Sequence, residues 1–129
     1  GPSHLKAPGD LMDVRPHPHI GLSTLTFLFE GEIFHRDSLG FKQAIVPGEV
    51  NWMTAGKGIS HSERERDEQR KIDRTIHGLQ FWVALPKELE DCEPSFTHYE
   101  KNQIPHEENE CHHISIVAGS RGTQTSPLK

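Results

Sequence analysis

The feature that most constrains the fold is a rhythm of short apolar stretches separated by turns. Between the turns, apolar and polar side chains alternate with the period of a β-strand. No segment shows a convincing helical period, and residues 86–90 form the best helical candidate, a single turn. Turn-forming residues recur at intervals near ten, at Glu30-Gly31-Glu32, Asp37-Ser38-Leu39-Gly40, Pro47-Gly48 and Ala55-Gly56-Lys57-Gly58. This pattern predicts an all-β sandwich or barrel.

Two short motifs carry the chemistry of the chain, His17-Pro18-His19 and His61-Ser62-Glu63. Each motif has an i, i+2 spacing, so on a strand both of its outer side chains point to the same face. If the two strands are neighbours, three imidazoles and one carboxylate meet at a common point. Such a donor set suits a divalent transition metal better than magnesium or calcium, which prefer oxygen ligands. The spacing therefore predicts a metal site.

The surroundings of the motifs support a buried site. An uninterrupted strand over residues 17–29 would place Leu25, Phe27 and Phe29 on the histidine face, so that the imidazoles open onto an apolar interior. The glycine-rich turn at residues 55–58 would fold residues 59–63 back beside residues 50–54. Buried imidazoles need polar partners, which a metal ion provides. A metal-free hairpin that buries a hydrogen bond between the histidine and the glutamate of the second motif is the alternative, and spacing alone leaves both open.

Length and composition limit the class of protein. With 129 residues the chain is one domain, and we expect an irregular leading segment at 1–16, the folded domain at 17–118 and a polar tail or linker at 119–129. The formal charge of −5 argues against a nucleic-acid binder, which needs a basic patch. Two cysteines without a CxxC spacing indicate no disulfide framework. With no apolar run of membrane-spanning length and no signal peptide, we expect a cytoplasmic protein, or a nuclear one in a eukaryote.

Five segments of the sequence, in order, resemble the N-terminal cupin domain of pirins. They are His17-Pro18-His19-Ile20-Gly21, Phe29-Glu30-Gly31-Glu32, His35-Arg36-Asp37-Ser38-Leu39-Gly40, residues 47–63, and Gly78-Leu79-Gln80-Phe81-Trp82-Val83-Ala84-Leu85-Pro86. The resemblance runs from about residue 17 to residue 86, and as a series these motifs are specific. It implies a cupin fold, which is a double-stranded β-helix or jelly-roll barrel, incomplete if the single chain lacks some of its strands.

The same resemblance implies a cofactor and an activity. It implies one iron ion, Fe(II), held by His17, His19, His61 and Glu63, at a site that Mn, Co, Ni, Cu or Zn could also occupy. Pirins are similar to quercetin 2,3-dioxygenases, which open a flavonol ring with dioxygen, and Glu63 would then accept the proton of the flavonol 3-hydroxyl. The alternative is a non-catalytic, iron-dependent and redox-sensing coregulator that meets a transcription factor. Both functions need the same four ligands.

The sequence departs from the pirin pattern in two respects. Ser23 stands where pirins commonly carry a glutamate four residues after the second histidine, so the surroundings of the ligands differ. Pirins also have two cupin domains with lead-in strands, which predicts that this chain is a shortened or monocupin protein, or a fragment. A barrel that lacks strands exposes strand edges, and we therefore expect a homodimer formed through them.

Other conspicuous side chains have simpler explanations. His35, His77 and His98 lie within predicted strands and are expected to be satisfied structural residues rather than ligands. Core packing is the expected role of the aromatic residues on predicted strands, Trp52, Phe81 and Trp82.

Overall fold

The computed structural model describes residues 1–128, and strands dominate it, which confirms the all-β prediction. Three single 3₁₀ turns, Gln69–Lys71, Lys87–Leu89 and Lys101–Gln103, are the helical structure of this part of the chain, and the second coincides with the predicted turn at 86–90. No helix within residues 1–128 is long and apolar enough to span a membrane. The strands are β1 (Ser3–Leu5), β2 (Asp13–His19), β3 (Leu22–Glu30), β4 (Ile33–Asp37), β5 (Lys42–Ile45), β6 (Val50–Thr54), β7 (Ile59–Arg64), β8 (Arg74–Ala84), β9 (Ser95–Tyr99), β10 (His106–Glu108), β11 (His113–Ser115), β12 (Ser120–Arg121) and β13 (Gln124–Thr125).

Two antiparallel sheets form the body of the domain. One has five strands in the order β1-β8-β3-β6-β9, and the other has four in the order β2-β7-β4-β5. Two short hairpins, β10–β11 and β12–β13, follow them in the chain. Most connections carry the chain across from one sheet to the other. The exceptions are the β4–β5 hairpin, which stays in the four-stranded sheet, and the connection from β8 to β9, which stays in the five-stranded sheet.

The two faces of the five-stranded sheet have different roles. Leu25 and Phe27 of β3 pack on the outer face, in a cluster with Val50 and Ile104. On the inner face Thr26 of β3 lies opposite Gln80 of β8 in the strand register. Side chains alternate along a strand, so the inner face carries Thr26 together with Leu28, which packs on Ile33 of the four-stranded sheet. The inner face therefore combines an apolar core between the sheets with polar groups near the site.

The prediction of one uninterrupted strand over residues 17–29 is wrong. β2 ends at His19 in the four-stranded sheet, and β3 begins at Leu22 in the five-stranded sheet. Between them Gly21 has a φ of +64°, a conformation that glycine adopts without steric cost. As a result Leu25 and Phe27 do not extend the histidine face but pack on the far side of another sheet.

The predicted hairpin of residues 50–54 and 59–63 is also wrong. β6 pairs with β3 and β9, whereas β7 pairs with β2 and β4. The turn at 55–58 therefore connects the two sheets, and a Cβ on Gly56 would lie only 2.0 Å from the Cys92 carbonyl oxygen. The predicted pairing of the two motif strands, β2 with β7, is confirmed.

Short strands lie in both terminal segments, where the sequence predicts irregular chain and a polar tail. β1 and the start of β2 fall within residues 1–16, and the β12–β13 hairpin falls within residues 119–129. Strands of two or three residues are too short to show an alternating pattern. Their existence depends on backbone pairing, for example of β1 with the first residues of β8.

The strand β8 has an open edge and exposed aromatic side chains. β1 pairs only with residues 74–76 of β8, and within residues 1–128 no strand pairs with the same edge of residues 78–84. Phe81 and Trp82 are exposed, whereas Trp52 is half-buried against the outer cluster. Core packing as the role of Phe81 and Trp82 is therefore wrong, because the side of β8 away from β3 lies open.

Candidate metal centre

Three imidazoles from two neighbouring strands gather at one point. His17 on β2 lies opposite His61 on β7, and their ring centroids are 4.4 Å apart. The ring of His19 lies 4.9 Å from that of His17 and 5.0 Å from that of His61. One ring nitrogen from each histidine lies within 4.8 Å of the other two. The i, i+2 spacing and the register of the β2–β7 pair together produce this cluster.

Several of these nitrogens are buried without a polar partner. Nε2 of His19 and both ring nitrogens of His61 make no hydrogen bond to any of residues 1–128. A buried polar atom that loses its hydrogen bond costs about 1–3 kcal/mol. A transition metal ion accepts lone pairs from such nitrogens and removes this cost, so the three residues fit a metal.

A backbone contact sets the tautomer of the third imidazole. Nδ1 of His17 donates to the carbonyl oxygen of Arg15 at 2.8 Å. The remaining nitrogen, Nε2, therefore carries the lone pair in the neutral ring. Metal-binding histidines are commonly oriented in this way, with one nitrogen bonded to the protein and the other free for the ion.

Burial favours the neutral form of His19 and His61. It lowers the pKa of His61 to about 3, and the nearby His17, His35 and His19 lower that pKa further as positive neighbours. Burial, and then His17, also lowers the pKa of His19 from its ordinary value. Only the neutral ring has a lone pair to give to a metal, so these two residues are ready to bind without first losing a proton.

The carboxylate of Glu63 joins the cluster through His61. Glu63 lies opposite His35 of β4, and donor atoms of Glu63, His35 and His61 all lie within 4.8 Å of one another. Within residues 1–128, no group that meets this limit contains both Glu63 and the two histidines of β2. The structure thus brings the three predicted imidazoles together, and it places the predicted carboxylate beside one of them.

Side chains that the motif analysis did not assign to the site surround this carboxylate. Nε2 of Gln80 donates to both carboxylate oxygens of Glu63, at 2.8 and 3.0 Å. Nε1 of Trp82 donates to Oε1 of Gln80 at 3.3 Å, and the indole stands edge-on to His19 with 5.1 Å between ring centroids. No spacing rule connects Gln80 with Glu63, because their contact joins different sheets.

His35 also lies in the site, although the sequence predicts only a structural role. Its Nε2 donates to the buried Asp37 carboxylate at 2.9 Å, and its ring stacks on Phe96 with 4.3 Å between centroids. The predicted hydrogen-bonded role of His35 is therefore confirmed for its Nε2 atom. The i, i+2 spacing of His35 and Asp37 was the available signal for this pair.

The position of Ser23 lies away from this cluster. Ser23 is fully buried on β3, and its hydroxyl makes a hydrogen bond of 2.9 Å with the hydroxyl of Thr54. The serine is therefore satisfied within the five-stranded sheet.

Two cavities border the site, one at Glu63 and the other at His61. The smaller, of about 290 Å³, is lined by Glu63 and Gln80 together with the apolar Leu28, Ile33 and Ile76. The larger, of about 790 Å³, reaches His61 and is otherwise lined mainly by charged side chains of residues 64–70. The apolar lining of the smaller cavity suits an apolar substrate better than the charged lining of the larger one does. The volume of the smaller cavity is near the lower end of the usual range for small-molecule pockets.

Comparisons with known proteins agree with this architecture. The pirin family model matches residues 1–83. A pirin-like protein of Caulobacter vibrioides is 57% identical over 108 residues, covering 83% of this chain and 37% of that protein. The crystal structure of a quercetin 2,3-dioxygenase from Acinetobacter baumannii has a TM-score of 0.88 and 41% identity, over 100% of this chain and 41% of that one. The bacterial pirin YhhW from Escherichia coli, in complex with nickel(II), has a TM-score of 0.59 and 31% identity, over 75% of this chain and 38% of that one.

The chain thus spans about two fifths of the length of these relatives. The predicted cupin barrel is confirmed by the structural matches, and the predicted resemblance is confirmed by the family model.

Proposed function

This chain belongs to the pirin family, and on that basis we propose that it binds one divalent transition metal. We propose further that it catalyses the quercetin 2,3-dioxygenase reaction, in which dioxygen opens the ring of a flavonol. The proposed ligands are His17, His19, His61 and Glu63. The observation that carries the proposal is the set of buried imidazole nitrogens that have no hydrogen-bond partner. An iron ion, Fe(II), is the proposed occupant, since histidine and carboxylate ligands suit non-haem iron.

The metal would supply Lewis acidity toward a substrate oxygen and the capacity for electron exchange with dioxygen. The protein would supply the remaining functions. The Glu63 carboxylate is the group placed to accept the proton of the flavonol 3-hydroxyl, because no other carboxylate belongs to the clusters of ligand atoms found in residues 1–128.

Residues around the site would orient the substrate and exclude water. Trp82 is 64% exposed and stands edge-on to His19, so its ring forms an aromatic wall beside the imidazoles. The apolar side chains of the smaller cavity favour a flat aromatic substrate next to Glu63. His61 itself is only 2% exposed, so little of its ring is open to water.

The test is a metal analysis followed by an activity assay. Freshly purified protein and the His61→Ala variant are analysed for metal content, and the iron-loaded proteins are then tested for oxygen-dependent bleaching of quercetin. We expect about one metal ion per chain, its loss in the variant, and bleaching by the loaded wild-type protein only. In the Glu63→Gln variant we expect turnover to fall about 100-fold or more, as for loss of a general base.

Each outcome has a defined meaning. Absence of metal after iron loading would refute the metal site. Bound metal without bleaching would refute the enzyme activity and would favour the iron-dependent coregulator. Undiminished turnover of the Glu63→Gln variant would refute its role as the base.

A further inference from the structure

A network of four side chains links Glu63 to the inner face of the five-stranded sheet. The amide nitrogen of Gln80 donates to both oxygens of Glu63, at 2.8 and 3.0 Å, and to Oγ1 of Thr26 at 3.1 Å. The amide oxygen of Gln80 accepts from the indole nitrogen of Trp82 at 3.3 Å. Gln80 therefore uses both ends of its amide, and the strand register sets it opposite Thr26.

Chemistry determines which way the Gln80 amide points. The indole nitrogen of Trp82 can only donate, so it requires the amide oxygen. An ionised carboxylate can only accept, so Glu63 requires the amide nitrogen. A flipped amide would lose both contacts and would set two oxygens against each other. The contacts with Trp82 and with Glu63 thus require the same orientation of the Gln80 amide.

We propose that Gln80 is the positioning residue of the metal centre, and that it orients the Glu63 carboxylate toward the ion. This inference rests on the proposed function, since it needs a metal at the histidine cluster. The side chain of Glu63 has three rotatable bonds, and among residues 1–128 the hydrogen bonds to its carboxylate come from Gln80. The bond to Gln80 limits the rotation of the carboxylate while leaving it beside His61, within 4.8 Å.

A carboxylate held in place loses less conformational freedom when it binds a metal. Residues that hydrogen-bond to metal ligands typically change metal affinity by about 10- to 100-fold when they are replaced. Gln80 is not itself a metal ligand in this proposal, and it affects the metal affinity only through Glu63. Its replacement should therefore have no effect once the carboxylate of Glu63 is absent.

The experiment measures the binding of Co(II) alone to metal-free protein, by calorimetry and by the visible absorption of the bound ion. The variants are Gln80→Leu, Gln80→Asn, Glu63→Gln and the double variant Glu63→Gln/Gln80→Leu. Gln43→Leu is the matched control, because Gln43 is half-buried on β5 opposite His35 but donates to the Ala44 carbonyl oxygen rather than to the Glu63 carboxylate. Circular dichroism of each metal-free protein verifies the fold.

We expect Gln80→Leu to weaken Co(II) binding about 10-fold or more and to change the visible spectrum, since the coordination of Co(II) changes. Gln80→Asn, which keeps the amide but shortens the side chain, should weaken binding in the same direction. Gln43→Leu should bind as the wild type does. In the Glu63→Gln background, the further replacement of Gln80 should change the affinity less than twofold.

Two results would overturn the inference. One is wild-type affinity and an unchanged spectrum in both Gln80 variants. The other is an equal loss in the presence and absence of the Glu63 carboxylate, which would mean that Gln80 does not act through it. If the wild-type protein itself binds no Co(II), the proposed metal site fails, and this outcome is distinct from a failure confined to Gln80.

Discussion

His17 lies directly opposite His61 in the β2–β7 pair, with 4.4 Å between ring centroids, and a β-bulge produces this register. Val14 is paired with Glu63, and the register shifts by one residue before His17 is paired with His61. Without the shift, residue 16 would occupy the position opposite His61. Because a slip of one residue moves a side chain to the other face of a strand, the bulge directs His17 to the histidine cluster.

His61 belongs to two clusters of ligand atoms, and only one of them contains His35. A metal held by the other cluster would not need His35. We expect His35→Gln to keep one metal per chain, because His35 is held by Asp37 and by stacking on Phe96. Its free energy of unfolding should fall by about 1–3 kcal/mol, since the variant lacks the imidazole that donates to the buried Asp37 carboxylate and stacks on Phe96. Metal analysis and urea unfolding measure the two effects. Loss of the metal together with retained stability would show instead that His35 is a ligand.

The metal-free protein should lose stability as the pH falls below 6.5. Burial lowers the pKa of His61 from 6.5 to about 3, so in this range the unfolded chain takes up a proton that the folded chain does not. Between pH 7 and pH 5.5 this residue alone should remove about 1 kcal/mol, and its effect should continue down to about pH 3. Urea unfolding of chelator-treated wild type and His61→Gln at both pH values measures it. An identical pH dependence in the variant would contradict this assignment.

Glu65, directly after β7, and Arg74, the first residue of β8, form a buried ion pair. The guanidinium of Arg74 donates to both carboxylate oxygens of Glu65, at 2.6 and 2.5 Å, and their side chains are only 7% and 1% exposed. Arg74→Ala should lower the free energy of unfolding by about 3 kcal/mol, because it leaves Glu65 buried without its partner. Arg66→Ala is the matched control: Arg66 pairs with Glu32 but is far more exposed, so its loss should cost less than about 1 kcal/mol. Equal losses in urea unfolding would refute this difference.

The crossing between the two sheets at Gly21 should resist substitution. Gly21→Ala should cost about 1–2 kcal/mol, because φ is +64° and an L-residue is strained there. Crowding does not contribute, since the nearest atom to an added Cβ is 3.8 Å away. Gly9→Ala is the control, because Gly9 has no such φ and no neighbour within 4 Å. Thermal unfolding of the two variants should therefore differ, and equal midpoints would exclude backbone strain at Gly21.

The homodimer predicted from exposed strand edges stays a prediction. The open edge of β8 at residues 78–84 carries no charged side chain and has exposed Phe81 and Trp82 on opposite faces, so it lacks the features that usually prevent pairing. We expect light scattering at micromolar concentration to give the mass of a dimer, and Phe81→Lys to shift it toward the monomer. A monodisperse wild-type monomer would contradict the prediction.

Local patterns were sufficient for part of this description. Turn spacing and alternation predicted the strands, and the two i, i+2 motifs predicted the side chains that gather at the site, because both depend on residues close together in the chain. The motif resemblance also predicted the cupin fold. The assignment of the four ligands remains a proposal, although the structure places their strands together.

The partners of each strand required the tertiary structure. The sequence pattern predicts a continuous strand through Gly21 and a hairpin at residues 55–58, but each of these segments carries the chain between sheets. A turn motif specifies a change of direction, whereas the sheet that receives the next strand depends on packing of the whole domain. For the same reason the contact of Gln80 with Glu63 has no sequence signature: it joins side chains of two sheets, and only the packing of those sheets brings them within hydrogen-bonding distance.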